Sequence, residues 1–313
     1  MNTVQKLQRL LATTQKTQTE LASLLGVSFA TLNSWVNGKS IPRKNAQERI
    51  DTLYQEYTGY LVIENSILQK KKGRILEYQK EFPNPLKVIL SRRDTYDAYI
   101  LELTYHTNSI EGSTFTEPEV RAVLFDNVTI PDKTLIEHQE AKNHQAALGQ
   151  LFQWLQKNSK TETLTEERIQ KLHAILMNGI RSDAGMYRRH GVRIVGSHVA
   201  TANYLKVPDR IFQFIQNIKQ KPHTDLFAHM ARTHAEFEQI HPFADGNGRV
   251  GRLIMHAQAL QHHLPPVLIQ QEKKQAYYTY LQHAQLEERY MFLESFICDG
   301  ILESYRLLDD NRN

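Results

Sequence analysis

Residues 241–252 read His-Pro-Phe-Ala-Asp-Gly-Asn-Gly-Arg-Val-Gly-Arg, which places an imidazole, a carboxylate, a glycine-rich turn and two guanidinium groups within twelve positions. The ordinary imidazole pKa, roughly 6.5, suits His241 to accept a proton from an attacking hydroxyl at neutral pH. Asp245 is the kind of single carboxylate that Mg²⁺ combines with substrate phosphates and waters. The glycines on either side of Asn247 let backbone amides approach an anion closely, and Val250, Leu253, Ile254 and Ala257 have the spacing of a helix that begins there. Loop and helix start together resemble a phosphate cradle. Arg249 and Arg252 fall on one side of that helix, while Val250, Ile254 and Ala257 face another. Both arginines can then meet phosphates while the helix stays anchored. The set lacks a protein nucleophile, so the residues alone indicate phosphoryl or nucleotidyl transfer in which the protein positions ATP and neutralises its charge.

The elements that must hold this stretch read as helical. Tyr96, Tyr99, Ile100, Leu103, Thr107 and Ile110 line one face, and similar stripes recur over 134–157, 165–179 and 208–218. The exception is Gly191-Val-Arg-Ile-Val-Gly-Ser-His-Val199, where β-branched residues flank Gly196-Ser197 in the manner of a short hairpin. The first 58 residues form a separate pattern of short helices with apolar positions at Leu7, Leu10 and Leu11, at Leu21, Leu24 and Leu25, and at Leu32, Trp35 and Val36. Thr17 and Ser28 are placed to cap helices, and Gly26 to take the positive φ of the turn between them. The expected architecture is all-α with one small β-hairpin: a helix-turn-helix module at 1–58, a linker or connecting helix at 59–90, and a helical domain over 91–313.

Composition sets the class. The 313 residues are 41% hydrophobic and 23% charged, and no stretch approaches the roughly 18 uninterrupted apolar residues of a membrane span. Met1 to Leu11 lacks the apolar run of a secretory signal, and the single cysteine, Cys298, excludes an internal disulfide framework and a multi-cysteine zinc site. A cytoplasmic protein without membrane contact is expected. Residues 1–58 hold seven Lys or Arg against four acids, so most of the net charge of +4 lies there. This excess permits nucleic-acid binding without requiring it. The fourteen histidines have no zinc-site spacing, and His229 and His234 read as structural.

Residues 241–252 match every specified position of the signature of the Fic family, His-Pro-Phe-x-(Asp or Glu)-Gly-Asn-(Gly or Lys)-Arg-x-x-Arg, and the resemblance extends over roughly residues 91–300. It implies a protein adenylyltransferase that moves AMP from ATP to a Ser, Thr or Tyr hydroxyl of a target protein. In that reading His241 deprotonates the hydroxyl and Asp245 holds Mg²⁺. Gly246, Asn247 and Gly248 bind the α- and β-phosphates, and Arg249 and Arg252 hold the outer ones. Gly248, where the family's phosphate-transferring branch carries Lys, favours AMP transfer. The hairpin resembles the family's flap, with Val192, Ile194 and Val195 pairing with a target segment. Thr107-Asn-Ser-Ile-Glu111-Gly112 resembles the inhibitory motif (Ser or Thr)-x-x-x-Glu-(Gly or Asn), on a helix near 96–112. Glu111 paired with Arg252 would remove the cation that should hold the γ-phosphate. Read by itself, Glu111 is simply a helix end before a Gly112 cap.

The amino-terminal module resembles the helix-turn-helix domains of phage-repressor-like regulators, through Gln18-Thr-Glu-Leu-Ala22, Gly26-Val-Ser28 and Trp35-Val-Asn-Gly38. The resemblance implies that Phe29, Ala30 and Asn33 face base edges of DNA while Gln18, Lys39 and Arg43 lie near phosphates. Three rivals to AMP transfer stay open: removal of AMP with Glu111 orienting a water, phosphate transfer, which Gly248 disfavours, and a DNA-binding regulator with a silent Fic domain, which the intact His241, Asp245, Asn247 and Arg252 disfavour. A homo-oligomer is compatible with each.

Overall fold

The computed structural model describes residues 2–14, 16–59, 64–157, 164–194, 199–219 and 225–310. Two compact units divide them: residues up to 63 together with 270–281, and residues 64–269 together with 282–313.

In the first unit, helices α1 (Thr3–Thr14), α2 (Gln18–Leu25), α3 (Phe29–Val36) and α4 (Lys44–Thr58) start and stop where local chemistry dictates. Thr17 and Glu20 form a reciprocal capping box, with Glu20 N–H donating to Thr17 Oγ1 at 3.2 Å and Thr17 N–H to Glu20 Oε2 at 2.7 Å. Gly26, at φ +65°, ends α2 in the left-handed conformation, and Ser28 Oγ accepts Thr31 N–H at 3.2 Å to open α3. Leu7, Leu10, Leu21, Leu25, Leu32, Trp35, Val36 and Ile50 close into one core. Arg49 Nη1 donates to Leu25 O at 3.1 Å, which satisfies a carbonyl at the end of α2. Residues 270–281 complete the unit, with Thr279 Oγ1 donating to Thr58 O at 3.1 Å.

The second unit contains α5 (Asn65–Glu81), α6 (Pro85–Ser91), α7 (Arg93–Glu111), α8 (Glu117–Arg121), α9 (Leu135–Lys157), α10 (Glu166–Leu176), α11 (Val207–Lys219), α12 (Leu226–Ile240), α13 (Asn247–Gln261) and α15 (Met291–Asp310). Between the last two, α14 (Lys274–Glu287) belongs to the first unit up to residue 281. The centre is α13, whose residues Arg249 to Leu260 are all buried, with α7, α9, α10 and α12 packed around it. A helix enclosed on all sides must find partners for its polar side chains inside the protein, and this requirement builds the site. No helix among the described residues is long and apolar enough to cross a membrane.

The expected hairpin is not seen. No strand occurs among the described residues, and Gly191–Ile194 is irregular backbone; Val195, with 196–198, lies outside them. Backbone groups here find other partners: Thr201 Oγ1 donates to Val192 O at 2.9 Å, Ala202 N–H to Gln239 O at 3.2 Å, and Arg188 Nη2 to Ala202 O. Alternating β-branched residues do not suffice for a ladder, because a lone two-stranded ribbon is marginal in water.

Around α13 lie three buried imidazoles, His144 on α9, His234 on α12 and His256 on α13 itself. Burial, followed by the neighbouring His256 and Arg252, holds His144 well below its usual range, and burial followed by the charge of Arg252 pushes His234 and His256 down to about 3. Burial likewise lowers His173 to about 4 and raises the Glu238 carboxyl to about 8. A depressed imidazole stabilises the fold fully above its unfolded value of 6.5 and loses that contribution as pH falls. A raised carboxyl does the opposite, with its contribution full below 4.5 and lost as pH rises toward 8. Four imidazoles therefore outweigh one carboxyl on the acid side, and Glu238 acts alone among these five on the alkaline side. Melting temperature is expected to peak near pH 6.5, roughly the ordinary imidazole value. Thermal melts followed by circular dichroism from acid to mildly alkaline pH check this. His256→Leu should blunt the acid limb and Glu238→Gln the alkaline limb; limbs unchanged by either substitution would refute the assignment.

Candidate active site

Helix α12 ends at His241, which takes a left-handed φ of +51° and caps the helix, its N–H bonding Phe237 O at 3.0 Å. Pro242 prevents the helix from continuing. His241 Nδ1 lies 3.1 Å from Glu238 O. A carbonyl oxygen only accepts, so Nδ1 carries the proton and Nε2 keeps its lone pair. Burial depresses the imidazole below its usual value, which keeps that lone pair available at neutral pH.

The loop that follows is organised by Asn247. Its Oδ1 accepts Phe243 N–H and its Nδ2 donates to Phe243 O, both at 2.9 Å, so the side chain holds the loop and the backbone amide is what it can offer a phosphate. Phe243 is fully buried and stacked on His173, with ring centroids 3.7 Å apart. Gly246, at φ +75°, opens α13, and a Cβ there would run into the Met177 side chain. The amides of Gly248 and Arg249 precede the first internal bond of α13, from Val250 N–H to Gly246 O, so this end of the helix is built to receive an anion. Asp245 lies exposed beside it, its Oδ1 accepting Gly246 N–H at 2.6 Å.

Both motif arginines are buried, and each meets a carboxylate from a different helix. Arg252, 1% exposed, donates from Nε to Thr107 Oγ1 at 2.9 Å and from Nη2 to Glu111 Oε1 at 2.5 Å. Thr107 and Glu111 are one turn apart at the end of α7, which Gly112 terminates at φ +109°. The Glu111 carboxylate overlies the start of α13: a Cβ on Gly248 would lie 2.6 Å from Glu111 Oε1 and 3.2 Å from Arg252 Nη1. Arg249 pairs instead with Glu140 on α9, Nη1 to Oε1 at 2.6 Å. The structure thus gathers His241, Asp245, Gly246, Asn247, Gly248, Arg249, Arg252 and Glu111 around one helix start. Val192 and Ile194 lie on the irregular segment described above, which Thr201 ties at Val192 O.

Several residues here escape the sequence motif. His173 bridges two loops, with Nε2–H donating to Asp245 O at 3.1 Å and Nδ1 accepting Gly185 N–H at 2.8 Å. Its signal is a polar residue within the apolar stripe of α10, beside Leu172 and Leu176. Arg188 is buried, and its guanidinium donates to His241 O at 2.7 Å, His190 O at 2.8 Å, Ala202 O and Ile240 O. Glu238 lies under Gly251, where a Cβ would strike its carboxylate. In the other unit, Phe29, Ala30, Lys39 and Arg43 are exposed, and Asn33 and Gln18 are half-buried.

The chain is similar to known proteins in sequence and in fold. Residues 163–259 match the Fic/DOC family, and residues 7–46 match a helix-turn-helix family. The chain is 32% identical to protein adenylyltransferase Fic of Nematostella vectensis over 209 residues, 66% of this chain and 48% of that protein. It is 31% identical to the protein of the same name from Aedes aegypti over 62% of this chain and 38% of that one. The chain thus spans less than half the length of these curated relatives. Among solved structures, Fic-1 (residues 134–508) of Caenorhabditis elegans superposes with a TM-score of 0.66 at 21% identity, covering 93% of this chain and 84% of that one. A Fic domain containing signaling protein from Bacteroides thetaiotaomicron gives 0.65 at 20% identity, covering 79% and 99%. This chain therefore carries a Fic/DOC family domain, preceded by a helix-turn-helix module.

Proposed function

We propose that this protein transfers AMP from ATP to a hydroxyl side chain of a target protein and that Glu111 holds the transfer in check. The observation that carries the reading is the pairing of a neutral His241, its Nε2 lone pair free of the Nδ1–Glu238 contact, with an anion-receiving helix start on the same loop. The relatives named protein adenylyltransferase support it.

The target hydroxyl gives its proton to His241 Nε2 as its oxygen attacks the α-phosphorus of ATP. The bond from that phosphorus to the bridging oxygen breaks, and pyrophosphate leaves. Amides at the start of α13 face the phosphates, and Arg249 and Arg252 neutralise their charge. Asp245 fits a divalent cation: it is a lone, exposed carboxylate beside the helix start, and the described residues contain no group of three or more His, Cys, Asp or Glu that could cage a metal. Mg²⁺ suits such a site because it shares its shell with phosphates and water, and it would supply neutralisation of phosphate charge. The target would approach along the groove that includes Met186, Tyr187, Arg189, Tyr204 and Leu205.

A DNA-binding role for the amino-terminal module rests on the exposed Phe29 and Ala30 in the first turn of α3, a helix that buries Leu32, Trp35 and Val36. Arg43→Ala should weaken DNA binding nearly uniformly across sequences and flatten its salt dependence, whereas Asn33→Ala should change sequence preference. Binding titrations of the full chain at two salt concentrations measure both. Salt-independent binding, or none, would point the module to a protein partner.

His241→Ala should reduce AMP incorporation by about 10²- to 10⁴-fold while ATP binding persists, as expected when a general base is removed. Wild-type transfer by that variant would exclude His241 as the base. Glu111→Gly should raise transfer, including onto the enzyme itself, by roughly ten- to hundredfold, because a charge-assisted arginine pair no longer competes with phosphate. Glu111→Gln should release less, and Glu111→Gly with Arg252→Ala should return to low activity. Initial rates of labelled AMP incorporation at fixed ATP and Mg²⁺ order the four proteins. Equal rates for wild type and Glu111→Gly would reduce Glu111 to a helix end, and faster loss of AMP from a modified substrate in wild type than in Glu111→Gly would favour the reverse reaction.

A further inference from the structure

The two arginines of α13 are held in different ways. Glu111 is the last residue of α7, and its carboxylate overlies Gly248, where phosphate is expected. Glu140 lies in the second turn of the long helix α9, its side chain 19% exposed, and meets Arg249, whose side chain is 4% exposed. One turn further along α9, Asn143 Nδ2 donates to Leu176 O at 2.9 Å and Asn178 O at 2.8 Å, gripping the segment whose Met177 lies against Gly246. Gln139 Nε2 in turn donates to Asn143 Oδ1 at 2.8 Å. Helix α9 therefore fixes both the second arginine and the support beneath the glycine turn. On Arg249 the pairing engages Nη1, while Nε is buried with no hydrogen-bond partner in the structure.

We propose that Glu140 is a positioning residue for ATP: it anchors Arg249 by Nη1, sets the plane of the guanidinium, and stays in place while nucleotide binds. This rests on the reading of the site as an ATP-using transferase. The guanidinium is planar with donors in a fixed fork, so fixing one arm aims the rest, and a small misplacement of a charged contact is costly in a buried site. Glu111 must leave Arg252 for phosphate to enter, whereas Glu140 has no such conflict. The two carboxylates should consequently act with opposite sign: loss of Glu111 raises activity and loss of Glu140 lowers it.

The test uses the full chain in the Glu111→Gly background, with Glu140→Gln and Glu140→Asp added separately. Calorimetric titration with Mg-ATP gives affinity, initial AMP incorporation against ATP concentration gives KM and kcat, and thermal melts report folding. Glu140→Gln should weaken ATP binding and raise KM by roughly tenfold, with a smaller fall in kcat, as for loss of one oriented charge-assisted contact. Glu140→Asp, which keeps the charge on a shorter stem, should recover part of the loss. Unchanged affinity and KM in Glu140→Gln overturns the proposal, and higher activity overturns it in favour of a second inhibitory carboxylate. Should Glu140→Gln not fold, Glu140→Asp decides: raised KM and weakened binding support the proposal, and values equal to the background overturn it. A Glu111→Gly protein that binds ATP but transfers no AMP would defeat the proposed function, while the binding comparison still decides the role of Glu140.

Discussion

The structure depends on where the charge of Arg252 goes. A guanidinium does not lose its proton, and this one is almost wholly removed from solvent at the centre of the helical unit. The fold must therefore bring it a counter-charge, and the end of α7 does so through Glu111, with Thr107 accepting from Nε one turn earlier. Helices α7 and α12 bring polar groups to this arginine inside the core: Thr107, which accepts from its Nε, and His234 and Glu238, which feel its charge. Glu238 illustrates the cost. Burial, with the charge of Glu111 adding to it, pushes its carboxyl up to about 8 although Arg252 nearby acts to lower it, so the charge of Arg252 does not offset the burial of Glu238.

The way α7 ends limits how Glu111 can move. Gly112 turns the chain, and Ser113 N–H returns to Asn108 O at 2.9 Å, closing the last turn. Thr114 is then held by Glu137, whose carboxylate accepts both its N–H and its hydroxyl at 2.8 Å and is pushed down to about 2 chiefly by the backbone bonds it accepts. Glu137 also completes a reciprocal cap with Thr134 at the start of α9. The backbone that follows Glu111 is thus tied to α9 at Thr114. Rotation of its side chain off Arg252 costs fewer contacts than fraying of the helix, and the helix that restrains α7 is the one that holds Arg249.

Much of this was legible in the sequence because it is local. Thr17, Gly26 and Ser28 act within four residues of their own positions, and the dense run from His241 to Arg252 marks its own helix start. Contacts between distant segments were not legible. Nothing near Arg249 points to Glu140, 109 residues away, and neither loop pinned by His173 contains it. The amphipathic reading of α13 sets its arginines on a different side from Val250, Ile254 and Ala257, but neighbouring helices bury both sides, and the arginines meet carboxylates there. At 191–194 period-two alternation of β-branched residues reports only a preference, and in the structure Val192 O accepts from the Thr201 hydroxyl with no strand among the described residues.

Burial of the arginine makes restraint and stability a single property. Breaking a buried pair by removing one partner leaves an uncompensated charge, a cost of about 3–5 kcal/mol in comparable settings, discounted here because Glu111 is partly exposed. Glu111 therefore stabilises the empty site by the same contact through which it obstructs the nucleotide. On the proposed reading, the outer phosphates of ATP are the other available counter-charge, so the protein passes between two compensated states through one that is not. On the same reading each ligand of Arg252 excludes the other, because the Glu111 carboxylate already lies over Gly248, close enough to meet a Cβ there. The competition is then one of charge and space at a single guanidinium.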